Sequence, residues 1–348
     1  MYYLSAFLIL GLLIFIHELG HFLAAKSCKM PVEVFAIGFG KTIFSWKRKE
    51  TTYKLNILPL GGYVSINGEN DASIEGGFLK QAWYKRLLVL SAGIIFNILF
   101  TIIIFFILFS TYGLPEKGIQ VMSVLPQTKT VQYLKTGDLL IKINDELVTA
   151  DGPATMQKIK TASEKNSFIN LTILRDKEAE KLVKVPFTDI NGKKVLGIEY
   201  SPTLIFSKRN MSIGKIISTP FKETKDNARD MLKGLKSLFV KASPTEKISD
   251  KVSGPVGIVK ITGQIAKTSF PLLMYWMAML SLNLGIMNAL PIPALDGGQM
   301  FFLMLEMIVG EKRWNKKIVT YLNFGFLCLL FGFMIIISVS DVRHLFIK

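Results

Sequence analysis

The sequence predicts a polytopic α-helical membrane protein: four transmembrane helices, a membrane-associated β-hairpin, and an inserted β domain on the outer side. Three observations carry this. Half of the 348 residues are hydrophobic, 25 of them Phe, and the mean hydropathy is +0.38. Four apolar runs, about Tyr2–Ala25, Leu87–Tyr112, Pro271–Leu290 and Val319–Val339, each reach the roughly 20 residues a helix needs to cross hydrocarbon. The long stretch from Gly113 to about Phe270 has a different character, first β-patterned and then helical. The segments are therefore 1–113 (two spans and the hairpin), 114–203 (β domain), 204–270 (amphipathic helical linker) and 271–348 (two further spans).

The first run is too long for a cleaved leader, and Met-Tyr-Tyr-Leu-Ser supplies no basic head. Inside it stands His17-Glu18-Leu19-Gly20-His21. An ionisable side chain at the centre of a span costs about 2.5–3.5 kcal/mol on insertion scales, so three in five residues call for a compensating ligand. Residues four apart share a helix face, which lets both imidazoles bind one Zn²⁺. Glu18 beside them can take a proton from water. Only one other histidine exists, His344 near the C-terminus, so chance placement of the pair around a glutamate is a weak alternative.

Between the first and second runs, Phe35–Gly40 and Thr42–Trp46 precede Lys47-Arg48-Lys49, and Thr51–Asn56 follows. Two β-rich runs around a basic turn predict a hairpin, ending at Leu58–Val64. It is apolar enough to dip into the membrane where protein or substrate satisfies its edge; an ordinary cytoplasmic hairpin fits equally well. The loops after the first and third spans hold the short-loop Lys and Arg residues, among them Lys26, Lys41, Arg48, Lys85, Arg86, Arg313 and Lys316. Both should be cytoplasmic, placing both termini and the inserted β domain outside.

In the inserted segment, Ile119–Leu125, Leu139–Ile143, Phe168–Leu174, Lys181–Phe187 and Val195–Tyr200 read as strands. Gly137-Asp138-Leu139-Leu140-Ile141-Lys142-Ile143-Asn144 resembles a motif of PDZ domains, which bind extended peptides along a sheet edge. A peptide ligand and a steric gate are both open. From Met211 to Val240, Ile213, Ile216, Ile217, Phe221, Leu232 and Leu235 recur at helical steps among lysines, the pattern of amphipathic helices lying on the outer membrane surface or packed against the β domain.

The third run ends Asn283-Leu284-Gly285-Ile286-Met287-Asn288-Ala289-Leu290-Pro291-Ile292-Pro293-Ala294-Leu295-Asp296-Gly297-Gly298. Two prolines break the helix and an acid follows in an apolar setting, tolerable when it lines a polar cavity. Asp296 is the candidate third ligand; Glu306 lies about three turns further on. The net charge of +16 comes without a nucleic-acid motif, and anionic lipid explains it more simply. Cys28 and Cys328 form no disulfide framework.

Taken together, the two metal motifs resemble the site-2 protease family of intramembrane zinc metalloproteases. Four spans with an outward PDZ-like domain between the second and third resemble its bacterial branch, the regulator of sigma-E protease type, here with a single PDZ domain. Ile37–Gly40, Gly61–Val64 and Ser253–Ile258 also fit. The resemblance implies one zinc ion held by His17, His21 and Asp296, with Glu18 as general base. It implies that Asn283 and Asn288 hold the substrate backbone, and that Gly40–Leu58, with Tyr53 and Leu55, is a re-entrant β-loop pairing with unwound substrate. It further implies a multi-pass protein of the bacterial cytoplasmic membrane, its partners being the lipid bilayer and single-pass membrane proteins trimmed beforehand on the outer side, such as anti-sigma factors or remnant signal peptides. Ala92-Gly93-Ile94-Ile95-Phe96-Asn97 lacks the proline many relatives carry after the glycine. Two rivals are a membrane-anchored zincin cutting soluble proteins, disfavoured by the Asp296 setting, and a metal transporter or inactive scaffold, disfavoured by two clusters converging on one site.

Overall fold

The computed structural model describes residues 2–69, 71, 73–148, 152–175, 181–190, 192–208, 211–240, 254–310, 314 and 316–346. The chain divides into two compact units, Met1–Leu108 with Ile217–Lys348, and Phe109–Ile216.

The first unit is built on helices. They are α1 (Tyr2–Ser27), α2 (Trp83–Tyr112, running on into the second unit), α4 (Ile213–Val240), α5 (Pro255–Thr268), α6 (Phe270–Ala289), α7 (Asp296–Val309) and α8 (Lys316–Phe346). Four carry stretches long and apolar enough to cross a membrane, Ser5–Ser27, Trp83–Tyr112, Phe270–Ala289 and Lys317–Asp341, matching the four apolar runs. Without a strong hydrophobic drive between helices in lipid, small and polar residues bring them together. Thr101 donates to the Ala278 carbonyl at 3.1 Å and Ser281 to the Asn97 carbonyl at 2.9 Å, joining α2 to α6. Trp276 donates to Thr262 at 2.9 Å, joining α6 to α5. An Asp341 oxygen on α8 accepts from the Gly257 N–H at 2.8 Å, placing an anion at the N-terminus of α5, where unpaired donors welcome it. Most of α8 is open, with Tyr321 at 75% and Phe324 at 65% exposure: a face made for lipid.

β1 (Val32–Arg48) and β2 (Thr51–Ile66) form the hairpin, turning at Lys49, whose φ is +55°. It is not the simple two-stranded ribbon expected. Val34–Ile37 of β1 lies between two parts of β2, pairing with Gly62–Ser65 on one side and Thr52–Leu55 on the other, while Phe44–Arg48 also pairs with Thr51–Leu55. The result is a four-segment sheet. Gly38, at φ +82°, and Gly40, at φ +85°, bend the long strand. Ile43, Phe44, Ile57 and Leu58 on the outer part are exposed.

The second unit is an antiparallel sheet in the order β10 (Ile198–Ser207), β3 (Leu114–Val124), β4 (Leu139–Ile143), β6 (Phe168–Leu174), β7 (Lys181–Pro186), with the short β5 (Glu146–Leu147) paired to β4. A small hairpin, β8 (Thr188–Ile190) and β9 (Lys193–Val195), precedes β10. Val121, Leu140, Ile169, Leu171, Ile173 and Val185 form its core. Buried Asp138 of the Gly-Asp motif is held by Arg175, with both contacts at 2.7 Å, and accepts from the Lys135 N–H at 2.8 Å. The expected strands are found, the last one shifted to Ile198–Ser207. Sequence reading missed α3 (Gly152–Lys165), a mostly polar helix whose Ile159 and Ala162 enter this core.

Candidate metal centre

α1 carries His17 and His21 on one face, one turn apart, and their rings stand edge to face with centroids 4.8 Å apart. Asp296 comes from the distant end of the chain. α6 stops at Ala289, because the prolines at 291 and 293 cannot continue the hydrogen-bond ladder. Short turns follow, the Leu290 and Ile292 carbonyls accepting from Ile292 and Leu295, and α7 opens with Asp296. Gly297 and Gly298 permit this tight nesting, since a β-carbon at either would strike the carbonyls of Ala289, Leu290 or Ile292.

The geometry fits a cation. Asp296 Oδ2 lies 3.0 Å from His17 Nε2 and 3.3 Å from His21 Nε2, and the two Nε2 atoms are 3.2 Å apart. His21 Nδ1 sits 2.8 Å from the Val89 carbonyl of α2. A carbonyl only accepts, so that nitrogen carries the proton and Nε2 presents a bare lone pair. His17 Nδ1 lies 3.2 Å from the carboxamide of fully buried Asn97. Asn97 Nδ2 is the atom that faces Nδ1; turning the amide over brings the otherwise unpartnered Oδ1 to that position, the orientation that suits an Nδ1 holding the proton while Nε2 is turned to a metal. Two imidazole lone pairs and an orphaned, buried carboxylate oxygen therefore converge. They repel one another unless a cation joins them. Two nitrogens and one oxygen, with a fourth position left over, suit zinc at a catalytic site.

Gly93 makes room for the imidazoles. A β-carbon there would come within 2.7 Å of the His17 ring and closer still to His21. Gly20 does the same between helices, where a β-carbon would press on the Ala92 carbonyl. Glu18 stands outside the ligand trio. Val64 on β2 lines the cavity beside it, and a β-carbon on Gly62 would lie 3.3 Å from its Cγ. The hairpin therefore sets the position of the candidate base.

A cavity of about 450 Å³ opens onto the centre, lined by His17, Glu18, His21 and Asp296 and, further out, by Tyr63, Val64, Arg86, Glu306 and Asn323. Arg86 and Glu306 form a buried pair at 2.8 Å, with the guanidinium over the Phe78 ring at 5.5 Å. Glu69 stands in the same wall, one side open to solvent. Loss of solvation on its cavity side raises its carboxyl to about 7.

The structure thus unites four of the eight residues singled out from sequence: His17, Glu18, His21 and Asp296. The other four are elsewhere. Asn283 is exposed and Asn288 half-buried on α6, and neither lines the cavity. Tyr53 stacks on Trp46 at 4.9 Å. It and Leu55 lie in the segment of β2 that has neighbours on both sides. Asn97 showed itself in sequence as a carboxamide within an apolar span. Glu306 stood out in sequence as a second acid beyond Asp296, but its partner Arg86, Val64 and Val89 gave no such signal, because each acts through a contact distant in sequence.

The model of peptidase family M50 matches residues 5–332. A candidate zinc metalloprotease of Fusobacterium nucleatum is 35% identical, over 99% of this chain and 100% of its own length. One of Clostridium perfringens is 33% identical over 98% of each chain. A chloroplastic membrane metalloprotease of Arabidopsis thaliana is 30% identical, over 89% of this chain and 72% of its own.

Proposed function

The chain belongs to peptidase family M50, the site-2 protease family, and is a zinc metalloprotease; from that premise we propose that it cleaves single-span membrane proteins within or beside their spans. The observation that carries this is the convergence of His17, His21 and Asp296, all donor atoms within 4.8 Å of one another, with both histidines on a helix that has the length and apolarity of a membrane span.

His17, His21 and Asp296 would hold the zinc, which would supply Lewis acidity toward the scissile carbonyl and the attacking water. Glu18 takes the proton from that water and later hands it to the leaving amine. The Gly62–Val64 stretch of the hairpin packs against the Glu18 side chain, and Val89 and Asn97 fix the imidazole tautomers.

A peptide bond inside a helix is shielded by its own hydrogen bonds, so the substrate must unwind. Gly62–Ser65 is the best-placed strand to receive it. It borders Glu18, and among the described residues no strand pairs along its second edge. Strand addition there offsets the lost helical bonds. Tyr53 and Leu55 serve this edge indirectly, as part of the sheet behind it, and Asn283 and Asn288 offer carboxamides to the remaining unwound backbone.

The rest of the proposal concerns setting. The chain lies in a bacterial cytoplasmic membrane with both termini outside, as the basic short loops favour. The β unit, about residues 114–203, is a PDZ-like domain on that outer face, and it binds a peptide or filters substrates by size. Substrates are trimmed on the outer side first, as anti-sigma factors and remnant signal peptides are. The test is to reconstitute the purified protein with a single-span substrate and to map the new termini by mass spectrometry. Cuts within or next to the span, abolished by a zinc chelator, support the proposal; cuts confined to soluble domains overturn it.

A further inference from the structure

Ala294 adopts φ +73°, the left-handed region, where a β-carbon meets the following carbonyl and where glycine or asparagine is the usual occupant. It stands two residues before Asp296. Leu295, between them, is extended at φ −100° and ψ 162°. The left-handed turn at Ala294 therefore sets the direction in which the chain enters α7 and presents the Asp296 carboxylate. The neighbouring turn bonds involve Ile292 and Leu295 and leave the Ala294 N–H out. That N–H donates instead to Oδ1 of Asn323 at 3.1 Å. Asn323 belongs to α8, and its side chain lines the same cavity as the three ligands. Its neighbours along the helix, Tyr321, Leu322 and Phe324, are all exposed apolar residues, whereas Asn323 is half-buried. A carboxamide in an apolar span needs a partner, and this one has it in a strained backbone.

We propose that Asn323 is a positioning residue for the metal centre: by accepting from the Ala294 N–H it holds the left-handed turn that aims Asp296 at His17 and His21. The fourth span thereby takes part in metal binding without supplying a ligand. This inference rests on the zinc reading of the site.

The experiment measures zinc affinity by chelator competition on the purified full chain in detergent. The variants are Asn323→Ala, Ala294→Gly, the double variant, and His17→Ala as control. Losing an outer partner of a metal ligand typically weakens affinity by about 10–100-fold, and Asn323→Ala should fall in that range. Ala294→Gly alone should stay near wild type. In the double variant the glycine adopts the left-handed conformation without an anchor, so affinity should return most of the way. Wild-type affinity in Asn323→Ala overturns the proposal, and so does a loss that Ala294→Gly does not restore. Should Asn323→Ala fail to fold, the double variant decides: folded with near-wild-type affinity supports the proposal, unfolded or zinc-free overturns it. A His17→Ala chain that keeps wild-type affinity would instead refute the zinc site itself, which separates the two failures.

Discussion

The Nδ1 atom of His21 lies 2.8 Å from the main-chain oxygen of Val89. This contact ties the metal motif of α1 to the backbone of α2 and fixes which imidazole nitrogen is free. It forms only because the two helices approach closely at Gly20 and Gly93. Gly93→Ala should therefore push both imidazoles aside. Zinc affinity, read by chelator competition, should fall by at least about 10-fold; an unchanged affinity would show that the imidazoles do not depend on this approach.

The hairpin's role is tested at Gly62. A valine there would crowd the Ala36 carbonyl and the Glu18 side chain, displacing the base and leaving the ligands in place. Gly62→Val should keep zinc and lose cleavage by about 10-fold or more, since general base catalysis contributes about 10²–10⁴. Loss of zinc together with activity would mean that the hairpin supports the metal centre and not the base.

Arg86 and Glu306 make a stability prediction. Breaking a buried pair strands a charge and costs about 3–5 kcal/mol, whereas replacing both partners with apolar residues is often neutral. Arg86→Ala should lower the unfolding temperature in detergent markedly, and Arg86→Met with Glu306→Leu should recover much of it. Equal loss in both would assign the pair's role to packing on Phe78.

Much of the site was legible because lipid penalises polar residues. A histidine, glutamate or aspartate in an apolar run stands out, and that penalty exposed His17, Glu18, His21 and Asp296. The spans were readable for the same reason, and the strands of the β unit from their alternation. The four-segment hairpin was hidden because the run of β1 gives no sign that Val34–Ile37 pairs on both sides, a consequence of the bends at Gly38 and Gly40. α3 was hidden by its polar surface. Ala294 gave no warning, since alanine rarely takes a positive φ, and its partner Asn323 lies 29 residues away.

Orientation can be checked with single cysteines in a chain lacking Cys28 and Cys328. Lys193→Cys, on β9, should react with an impermeant thiol reagent in intact cells. Glu75→Cys, between the first two spans, should react only after lysis. Equal labelling of both would overturn the proposed topology.

The most direct test of the central claim pairs zinc content with hydrolysis in purified Glu18→Gln and Asp296→Ala. Glu18→Gln should retain stoichiometric zinc and lose cleavage by about 10²-fold or more, because the carboxylate moves protons and holds no metal. Asp296→Ala should lose both zinc and cleavage. An Asp296→Ala chain with stoichiometric zinc and full activity would contradict the account.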